Sequence, residues 1–349
     1  MTRKSRSGGR PTQSDIAHMA GVSQATVSLV LNGNPSGVSL SAQTQQRVLD
    51  AARELSYVPD PAARRLVARH NRLLGLHTFM PTFPVDFRNS YYPFLVGVEE
   101  EAAEQGYDLL LFTGTGTDRP RTGGELNRLR LADGCVLIGR HAPTDELVRL
   151  LDDGFPLVYI GRNDTAGSRL AYVGADYVRA SADVVAHLVG LGHRRLRYVR
   201  EHDDAVASVD REIGFRLGLE ETGAAGDVVR SDGSDLTTQR LRSWLHDGVT
   251  AVITEATDTQ AATRAVHACV EAMELSCPLD LSLAMLGDDV HPEPGTSRKV
   301  VTGFAIPRRE MGRRAARMLV HLLADQPVQV RQELLPCPFV TGETTGPPR

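Results

Sequence analysis

The segment 11–32, PTQSDIAHMAGVSQATVSLVLN, constrains the fold of this chain more than any other stretch. Its pattern predicts two short helices joined by a tight turn. Thr12 and Ser23 can cap the two helices through their hydroxyls, and Gly21 can adopt the left-handed conformation that ends a helix. Such a pair packs at a steep angle, and its second helix can lie in the major groove of DNA. The alternative is an ordinary helical hairpin within a hydrophobic core.

A third helix is expected over 42–55, where Ser41 can act as its cap. Pro59 ends it, and Pro61 is well placed in the first turn of a further helix, PAARRLVAR. A helix of about two turns is marginal alone in water. The apolar faces of the first and third helices are expected to include Ile16, Ala17, Met19, Ala20, Val48, Leu49, Ala52 and Leu55.

Charge is distributed unevenly along the chain. Residues 1–72 contain 10 of the 39 Lys/Arg and 4 of the 43 Asp/Glu, which leaves 29 and 39 for the remainder. A basic head on an acidic body is typical of a protein with one phosphate-facing end. A solvated basic tail would explain the first arginines but not Arg64, Arg65 and Arg69, which fall within a helical pattern.

Beyond residue 72, buried strands and helices alternate, which predicts an α/β body with doubly wound parallel sheets. One sheet of that size would be too large, so we expect two lobes with a ligand cleft between them. Strands are expected over 73–79, 109–113, 135–138, 157–160, 196–199, 251–254 and 283–286. Helices are expected over 94–105, 124–131, 145–153, 179–191, 211–222, 236–245, 260–273 and 308–323.

Several segments together resemble the LacI family of bacterial regulators: DIAHMAGVSQATVSLVLN, RVLDAARELSYVPDPAARRL, LGHRRL, RxxGF from Arg211 to Phe215, and LGDD at 286–289. The resemblance implies an all-α helix-turn-helix headpiece followed by a body like a periplasmic binding protein. The expected domains are a headpiece at 1–58, a hinge helix at 59–70 and an effector-binding and dimerisation domain at 71–349. The expected lobes are 71–172 with 301–325, and 173–300 with 326–349.

By resemblance, base contacts fall on Gln24, Ala25 and Leu29, where many family members carry arginine at the last position. Leu29 can offer only apolar contact, for example to a thymine methyl. Leu66 is the residue that each hinge is expected to wedge between base steps in the minor groove. The full set expected to face DNA is Thr12, Ser23, Gln24, Ala25, Thr26, Ser28, Leu29, Asn32, Arg64, Arg65 and Leu66.

Two effector contacts are implied by the resemblance, Arg211 and Asp288, because a guanidinium donates and a carboxylate accepts from hydroxyls. Either residue could instead form a salt bridge between lobes or at a helix start. Asp176 matches the family's Asp-Asn pair, although Tyr177 replaces the asparagine. Glu255 lies where many members carry Asn-Asp, in uncertain register. These departures leave open an unusual sugar, a sugar acid or another polar effector.

Other classes of function lack their signatures. The first residues, MTRKSRSGGRPTQ, have no apolar core, and no run of 18 apolar residues is present, so we expect a cytoplasmic protein without a membrane segment. The four cysteines are scattered, and no metal motif, dinucleotide fingerprint or catalytic constellation is complete. We therefore expect no enzyme activity, no cofactor and no metal.

The resulting hypothesis is a repressor that binds a palindromic operator in double-stranded DNA and is released by a small polar, sugar-like effector. The alternatives are a co-repressor-dependent regulator of the same fold and, from another class, a solute-binding protein without regulatory role. One headpiece reads few base pairs, which favours a homodimer. The segment 332–349 contains no leucine heptads, so we expect no tetramer-forming coiled coil.

Overall fold

A computed structural model describes this chain over residues 11–31, 38–57, 71–79, 91–113, 125–257, 259–288, 299–324, 326 and 330–349. The chain divides into two compact units, the first ending at Asn71 and the second beginning at Arg72. The predicted hinge at 59–70 lies outside the described residues, so its boundaries stay a prediction.

Within its described residues, the first unit contains three helices, and local capping sets where they begin. Thr12 Oγ1 accepts a hydrogen bond from the amide of Asp15 at 3.3 Å, and the Asp15 carboxylate accepts from the amide of Thr12 at 2.8 Å. Ser23 Oγ accepts from the amide of Thr26 at 3.1 Å. Gly21 ends the first helix with a φ of 64°. The helices are α1 (Gln13–Ala20), α2 (Gln24–Leu31) and α3 (Ala42–Glu54).

A small apolar core joins these three helices and confirms most of the expected faces. Two expectations are wrong: Met19 is 45% exposed and Leu49 is 39% exposed. On α3 the buried face runs through Val48, Ala51 and Ala52, the i, i+3 and i+4 positions, and Leu49 points away from it. The buried core consists of Ile16, Ala17, Ala20, Val27, Val48, Ala51 and Ala52.

The second unit has two lobes, each built on a parallel sheet whose strands follow continuous apolar runs. The N-terminal lobe holds the larger sheet, in the order β11-β5-β4-β3-β1-β2 among the described strands. Its strands are β1 (Leu73–Thr78), β2 (Asp108–Thr113), β3 (Gly134–Ile138), β4 (Leu157–Ile160), β5 (Ala171–Ala175) and β11 (Gln332–Leu335).

The C-terminal lobe holds a smaller parallel sheet, in the order β7-β6-β8-β9. Thr302 bridges to Ala284 of this sheet, and a short antiparallel pair follows it. The strands are β6 (Arg195–Arg200), β7 (Ala225–Arg230), β8 (Ala251–Glu255), β9 (Ser282–Leu286), β10 (Gly303–Phe304) and β12 (Phe339–Val340).

Helices cover both sheets and lie close to the predicted ranges. The expected helix at 124–131 is a 3-10 helix over Glu125–Leu131. In the N-terminal lobe the helices are α4 (Tyr92–Glu104), α5 (Thr144–Asp152) and α10 (Arg308–Leu323). In the C-terminal lobe they are α6 (Tyr177–Gly190), α7 (Val206–Thr222), α8 (Thr238–His246) and α9 (Ala261–Ala272).

In the described part of the second unit the chain crosses between the lobes three times, and the third crossing lies later than predicted. The sequence placed residues from 326 onward in the C-terminal lobe, but β11 pairs in parallel with β5 of the N-terminal lobe, with Gln332 opposite Tyr172. The first crossing follows β5 at Asp176, and the second falls between Phe304 and Arg308. Both lie a few residues after the predicted positions of 172 and 300.

Candidate functional site

The strands β3 and β4 end in the same tripeptide, Ile138-Gly139-Arg140 and Ile160-Gly161-Arg162. Ile138 lies opposite Ile160 in the parallel register, so the two arginines leave the sheet side by side. Gly161 has a φ of 111°, a conformation that glycine adopts without strain. The two arginines therefore stand at the carboxyl edge of the sheet, where ligands of doubly wound folds bind.

A cavity of about 150 Å³ opens at this edge, and residues of both lobes line it. Its apolar surface includes four aromatic rings, which suits the flat, less polar face of a ring-shaped ligand. The aromatic lining residues are Tyr91, Phe94, Tyr159 and Tyr177. The charged lining residues are Arg140, Arg162, Asp210, Arg211 and Arg308.

The two lining arginines at the ends of β3 and β4 reach across the cleft to the C-terminal lobe. Arg162 donates from Nε to Asp210 Oδ2 at 2.9 Å and from Nη2 to Asp210 Oδ1 at 2.5 Å. Arg140 donates from Nε to Asp203 Oδ2 at 2.8 Å. The hydrogen bond to Asp210 raises the pKa of Arg162 above its ordinary value. Burial alone would raise the pKa of Asp203, but the charge and hydrogen bonds of Arg140 hold it below its ordinary value.

Arg211, the predicted effector contact, is buried on α7 and faces the cavity. Its guanidinium carbon lies 4.2 Å from the ring centre of Tyr177, and Nη1 lies 3.9 Å from Glu255 Oε2, too far for a hydrogen bond. Among the described residues, Arg211 Nε and Glu255 Oε1 are both buried without a hydrogen-bond partner. Buried polar atoms normally have partners, so this pair is the least satisfied part of the cleft.

The RxxGF segment explains why Arg211 lies on Tyr177. A Cβ added to Gly214 would collide with the carbonyl oxygen of Val178, and one added to Gly218 would come within 2.7 Å of the Val185 side chain. Because neither position carries a side chain, α7 packs closely against α6. This contact brings Arg211, one turn before Gly214, over the residue that begins α6.

The other three predicted effector residues have their own partners. The Asp288 carboxylate accepts from Arg308 Nη1 at 2.7 Å and from the amide of Ile306 at 3.2 Å, which is the alternative of a salt bridge between lobes. Asp176 caps α6 by accepting from the amide of Arg179 at 3.0 Å. Glu255 accepts from the hydroxyl of Tyr198 at 3.2 Å. Of the four predicted residues, the cavity lining defined by the described residues includes Arg211 alone.

Five residues of the cleft were not predicted from the sequence: Arg140, Arg162, Asp203, Asp210 and Arg308. The repeated Ile-Gly-Arg at the ends of two adjacent strands was a readable signal for the first two. Their carboxylate partners were not readable, because Asp203 and Asp210 follow 63 and 48 residues later on the other lobe.

In the first unit, the residues expected at bases lie on α2. Gln24 and Ala25 are exposed, whereas Leu29 is half-buried. Thr12, Ser23 and Thr26 take part in helix capping, and Ser28 is half-buried. Asn32, Arg64, Arg65 and Leu66 lie outside the described residues. The assignment of this set to DNA contact remains a prediction.

Among the described residues, no group of three or more His, Cys, Asp or Glu side chains is arranged to hold a metal ion. No described helix is both long and apolar enough to cross a membrane.

Together, a three-helix unit with a capped helix-turn-helix and a two-lobed α/β unit with a lined cleft define a ligand-responsive DNA-binding regulator. Comparison with known families agrees. Residues 12–60 match the model described as "Bacterial regulatory proteins, lacI family", and residues 185–345 match the "Periplasmic binding protein-like domain".

Full-length relatives point the same way. The chain is 30% identical to the HTH-type transcriptional regulator CelR of Thermobifida fusca, over 97% of this chain and 95% of that protein. It is 26% identical to the ribose operon repressor of Bacillus subtilis, over 96% and 98% of the two chains. The chain belongs to the LacI family and is a DNA-binding transcriptional regulator.

Solved structures share the fold. A structure titled "transcriptional regulator CelR-cellobiose complex" superposes with a TM-score of 0.63 at 28% identity, over 96% of this chain and all of that one. The lac repressor dimer bound to operator and the anti-inducer ONPF gives a TM-score of 0.71 at 20% identity, over 97% of this chain and all of that one. The second likeness concerns the fold alone.

Proposed function

We propose that this regulator is a homodimeric repressor that binds a palindromic operator and leaves it when a neutral, sugar-like effector occupies the cleft between the lobes. The observation that carries the proposal is Arg211: a buried guanidinium that faces the cavity, with Nε unpartnered among the described residues. A saccharide hydroxyl in the cavity can accept from this guanidinium, which supplies the missing hydrogen bond of Nε.

The charge balance of the cleft favours a neutral ligand over a sugar acid. Each lining arginine already faces a carboxylate of the opposite charge. The pairs are Arg140 with Asp203, Arg162 with Asp210, Arg211 with Glu255, and Arg308 with Asp288. An added anion would compete with these carboxylates and leave one of them buried without a cation, which is costly.

The aromatic rings support the same class of ligand. Tyr91 and Phe94 come from the N-terminal lobe and Tyr177 from the C-terminal lobe, so a ring between the lobes can contact apolar faces on both sides. Polar groups at its rim can then reach Arg211 and Asn163. The cellobiose named for the related CelR complex is a neutral saccharide of this kind.

The DNA side of the proposal rests on the first unit and its charge. Exposed Gln24 and Ala25 at the start of α2 can approach base edges, and the basic head can neutralise phosphates. Two headpieces are expected to read a palindrome, so light scattering on dilute protein should give a dimer. A stable tetramer in dilute solution would contradict the expected assembly.

Release of DNA by defined saccharides tests the proposal. Duplexes selected from a random pool by the full chain would be labelled, and fluorescence anisotropy would follow binding while cellobiose, maltose, ribose, gluconate or glucuronate is added. The proposal expects at least one neutral sugar to release DNA from wild type but not from Arg211→Ala. Release by the acids alone would contradict a neutral effector. A sugar that tightens DNA binding would contradict release by an effector and would favour the co-repressor alternative.

A further inference from the structure

We propose that the twin arginines Arg140 and Arg162 form a latch that holds the two lobes closed over the ligand cavity. The proposal rests on the function proposed above, because a latch matters only if the cleft opens to admit a ligand. It assigns a role to residues that the effector prediction did not use.

Each lobe contributes two charged residues to the latch. On the N-terminal lobe, the two Ile-Gly-Arg ends place Arg140 and Arg162 on neighbouring strands in register. On the C-terminal lobe, Asp203 lies in the loop after β6, and Asp210 lies in the first turns of α7. Two bonds join Arg162 to Asp210, and Arg140 also donates to Ser208 Oγ at 3.3 Å.

The loop that carries Asp203 is itself held in place. Arg200, whose side chain is fully buried, donates to Glu212 at 2.8 Å and to the carbonyl oxygen of Asp203 at 2.6 Å. Asp203 Oδ1 in turn accepts from the amide of Ala205 at 2.9 Å. The acceptor for Arg140 is therefore pre-positioned, so closing the lobes orders few additional groups.

Solvent exposure indicates that the Arg162–Asp210 pair of the latch is stronger than a surface ion pair. The side chain of Asp210 is 5% exposed and that of Arg162 is 26% exposed. Exposed pairs contribute little, whereas breaking a buried pair leaves a charge without its partner. Opening the cleft returns both groups to water, so the latch favours closure without locking it.

The position of Asp210 links the latch to the ligand contact. Asp210 and Arg211 are consecutive in α7, and only Arg211 turns toward Tyr177 and Glu255. Pairing of Arg162 with Asp210 therefore brings the lobes together at the residue next to the expected ligand contact. A ligand held by Arg211 and a closed latch favour the same arrangement of the lobes.

Hydrogen–deuterium exchange of the ligand-free full chain can test the latch. For each variant, the exchange rate is measured at amides of the lobe that does not carry the substitution. In α7, the amides of Ser208 and Val209 bond to the carbonyl oxygen of Ala205 at 2.9 and 3.0 Å; in the N-terminal lobe, the amide of Gly161 bonds to Val173 at 2.8 Å. Arg162→Gln is expected to speed exchange at 208 and 209 about tenfold, the effect of about 1.4 kcal/mol. Asp210→Asn is expected to speed exchange at 161 similarly.

Controls separate a latch from general destabilisation. Arg169→Gln removes the ion pair with Asp152 within the N-terminal lobe, at 2.6 Å, and should leave both readouts unchanged. Arg162→Lys, which keeps the charge, should restore part of the protection. The double variant Arg162→Gln with Asp210→Asn should open the cleft no further than either single change.

The proposal is overturned if exchange on the opposite lobe stays at the wild-type rate in Arg162→Gln and in Asp210→Asn. It is equally overturned if Arg169→Gln speeds exchange as much. Operator binding by the same samples is measured separately. If wild type does not bind DNA, the proposed function is rejected. If wild type binds DNA but the variants exchange at the wild-type rate, only the latch is rejected.

Discussion

The guanidinium of Arg211 lies over the ring of Tyr177, with 4.2 Å between its carbon atom and the ring centre. Tyr177 stands where the family pattern has asparagine, and in this chain it contacts the cleft arginine by a cation–π interaction. Such a contact is worth about 0.5–2 kcal/mol, depending on desolvation. The contact with the ring leaves Arg211 Nε without a hydrogen-bond partner among the described residues, so this donor is available to a ligand.

We expect Arg211→Ala to abolish release of DNA by the effector while leaving operator affinity nearly intact, because a ligand acts only through its differential affinity for two states. Tyr177→Phe should respond like wild type, since it keeps the ring. Tyr177→Ala should need roughly tenfold more ligand, consistent with loss of a desolvated cation–π contact. Anisotropy titrations of the three variants measure these shifts. A normal response in Arg211→Ala would show that the predicted contact is wrong.

Leu29→Arg should change which bases the protein selects. Leucine offers only apolar contact, whereas arginine can pair bidentately with guanine, a contact worth about 1–3 kcal/mol of discrimination. Selection from a random duplex pool would compare this variant with wild type and with Arg47→Ala, a change in an exposed residue of α3. The control should keep the wild-type consensus. If the consensus of Leu29→Arg is also unchanged, Leu29 does not face a base.

Leu66→Ala should reduce bending of the operator and weaken specific binding, with thermal stability nearly unchanged. The residue lies outside the described part of the chain, so this prediction comes from the resemblance alone. Wedging a side chain between base steps costs a few kcal/mol, which the bent complex must recover through added contacts. Circularly permuted duplexes would report the bend. Equal bending by both proteins, or a large fall in Tm, would favour a packing role.

Protonation of Glu101 should lower the stability of the two-lobed α/β unit at acidic pH. Its buried carboxylate accepts from Arg317 at 2.7 and 2.9 Å and from Arg313 at 3.1 Å, joining α4 to α10. Burial alone would raise its pKa, but Arg317, Gln105 and Arg313 hold the pKa below the ordinary value of 4.5. A lowered pKa in the folded state adds stability above about pH 4.5 that is lost as the pH falls further.

Glu101→Gln should therefore lower the free energy of unfolding at pH 7 by roughly 1–3 kcal/mol. The difference from wild type should narrow as the pH falls below 4.5, because Glu101 is protonated first in the unfolded chain and, at lower pH, in the folded protein. Denaturant titrations would measure the difference in unfolding free energy between variant and wild type at pH 7 and at pH 4. Glu99→Gln, on the exposed face of α4, is the control. A difference in unfolding free energy that stays constant with pH would show that protonation of Glu101 does not control stability.

The sequence predicted the elements that have a strong local signal. Continuous apolar runs such as Cys135–Ile138 identified buried parallel strands, and the capping hydroxyl of Thr12 identified the start of α1. The strands β5 (AYVGA) and β7 (AGDVVR) were missed because neither contains a continuous run of large apolar residues, and β7 is largely exposed at a sheet edge. The strand β11 was placed in the wrong lobe because its sequence, QELL, does not reveal its partner.

The candidate site was harder to predict because its geometry depends on pairs that are distant in sequence. The resemblance identified Arg211, but it could not show that Asp288 forms a salt bridge with Arg308, 20 residues later. Nor could it show that Tyr177, a departure from the family pattern, would become the support for Arg211. Such contacts follow from the packing of α7 on α6 and from closure of the lobes, which no local pattern encodes.

Calorimetric and anisotropy titrations of one neutral sugar test the central claim most directly, using wild type and Arg211→Ala of the full chain. The sugar would be the one that releases wild type from its selected operator. We expect wild type to bind the sugar in solution and to leave the operator over the same concentration range. Arg211→Ala should bind the operator as wild type does yet neither bind the sugar nor respond to it. Sugar binding and DNA release by Arg211→Ala at wild-type concentrations would contradict the claim that the cleft at Arg211 controls DNA binding.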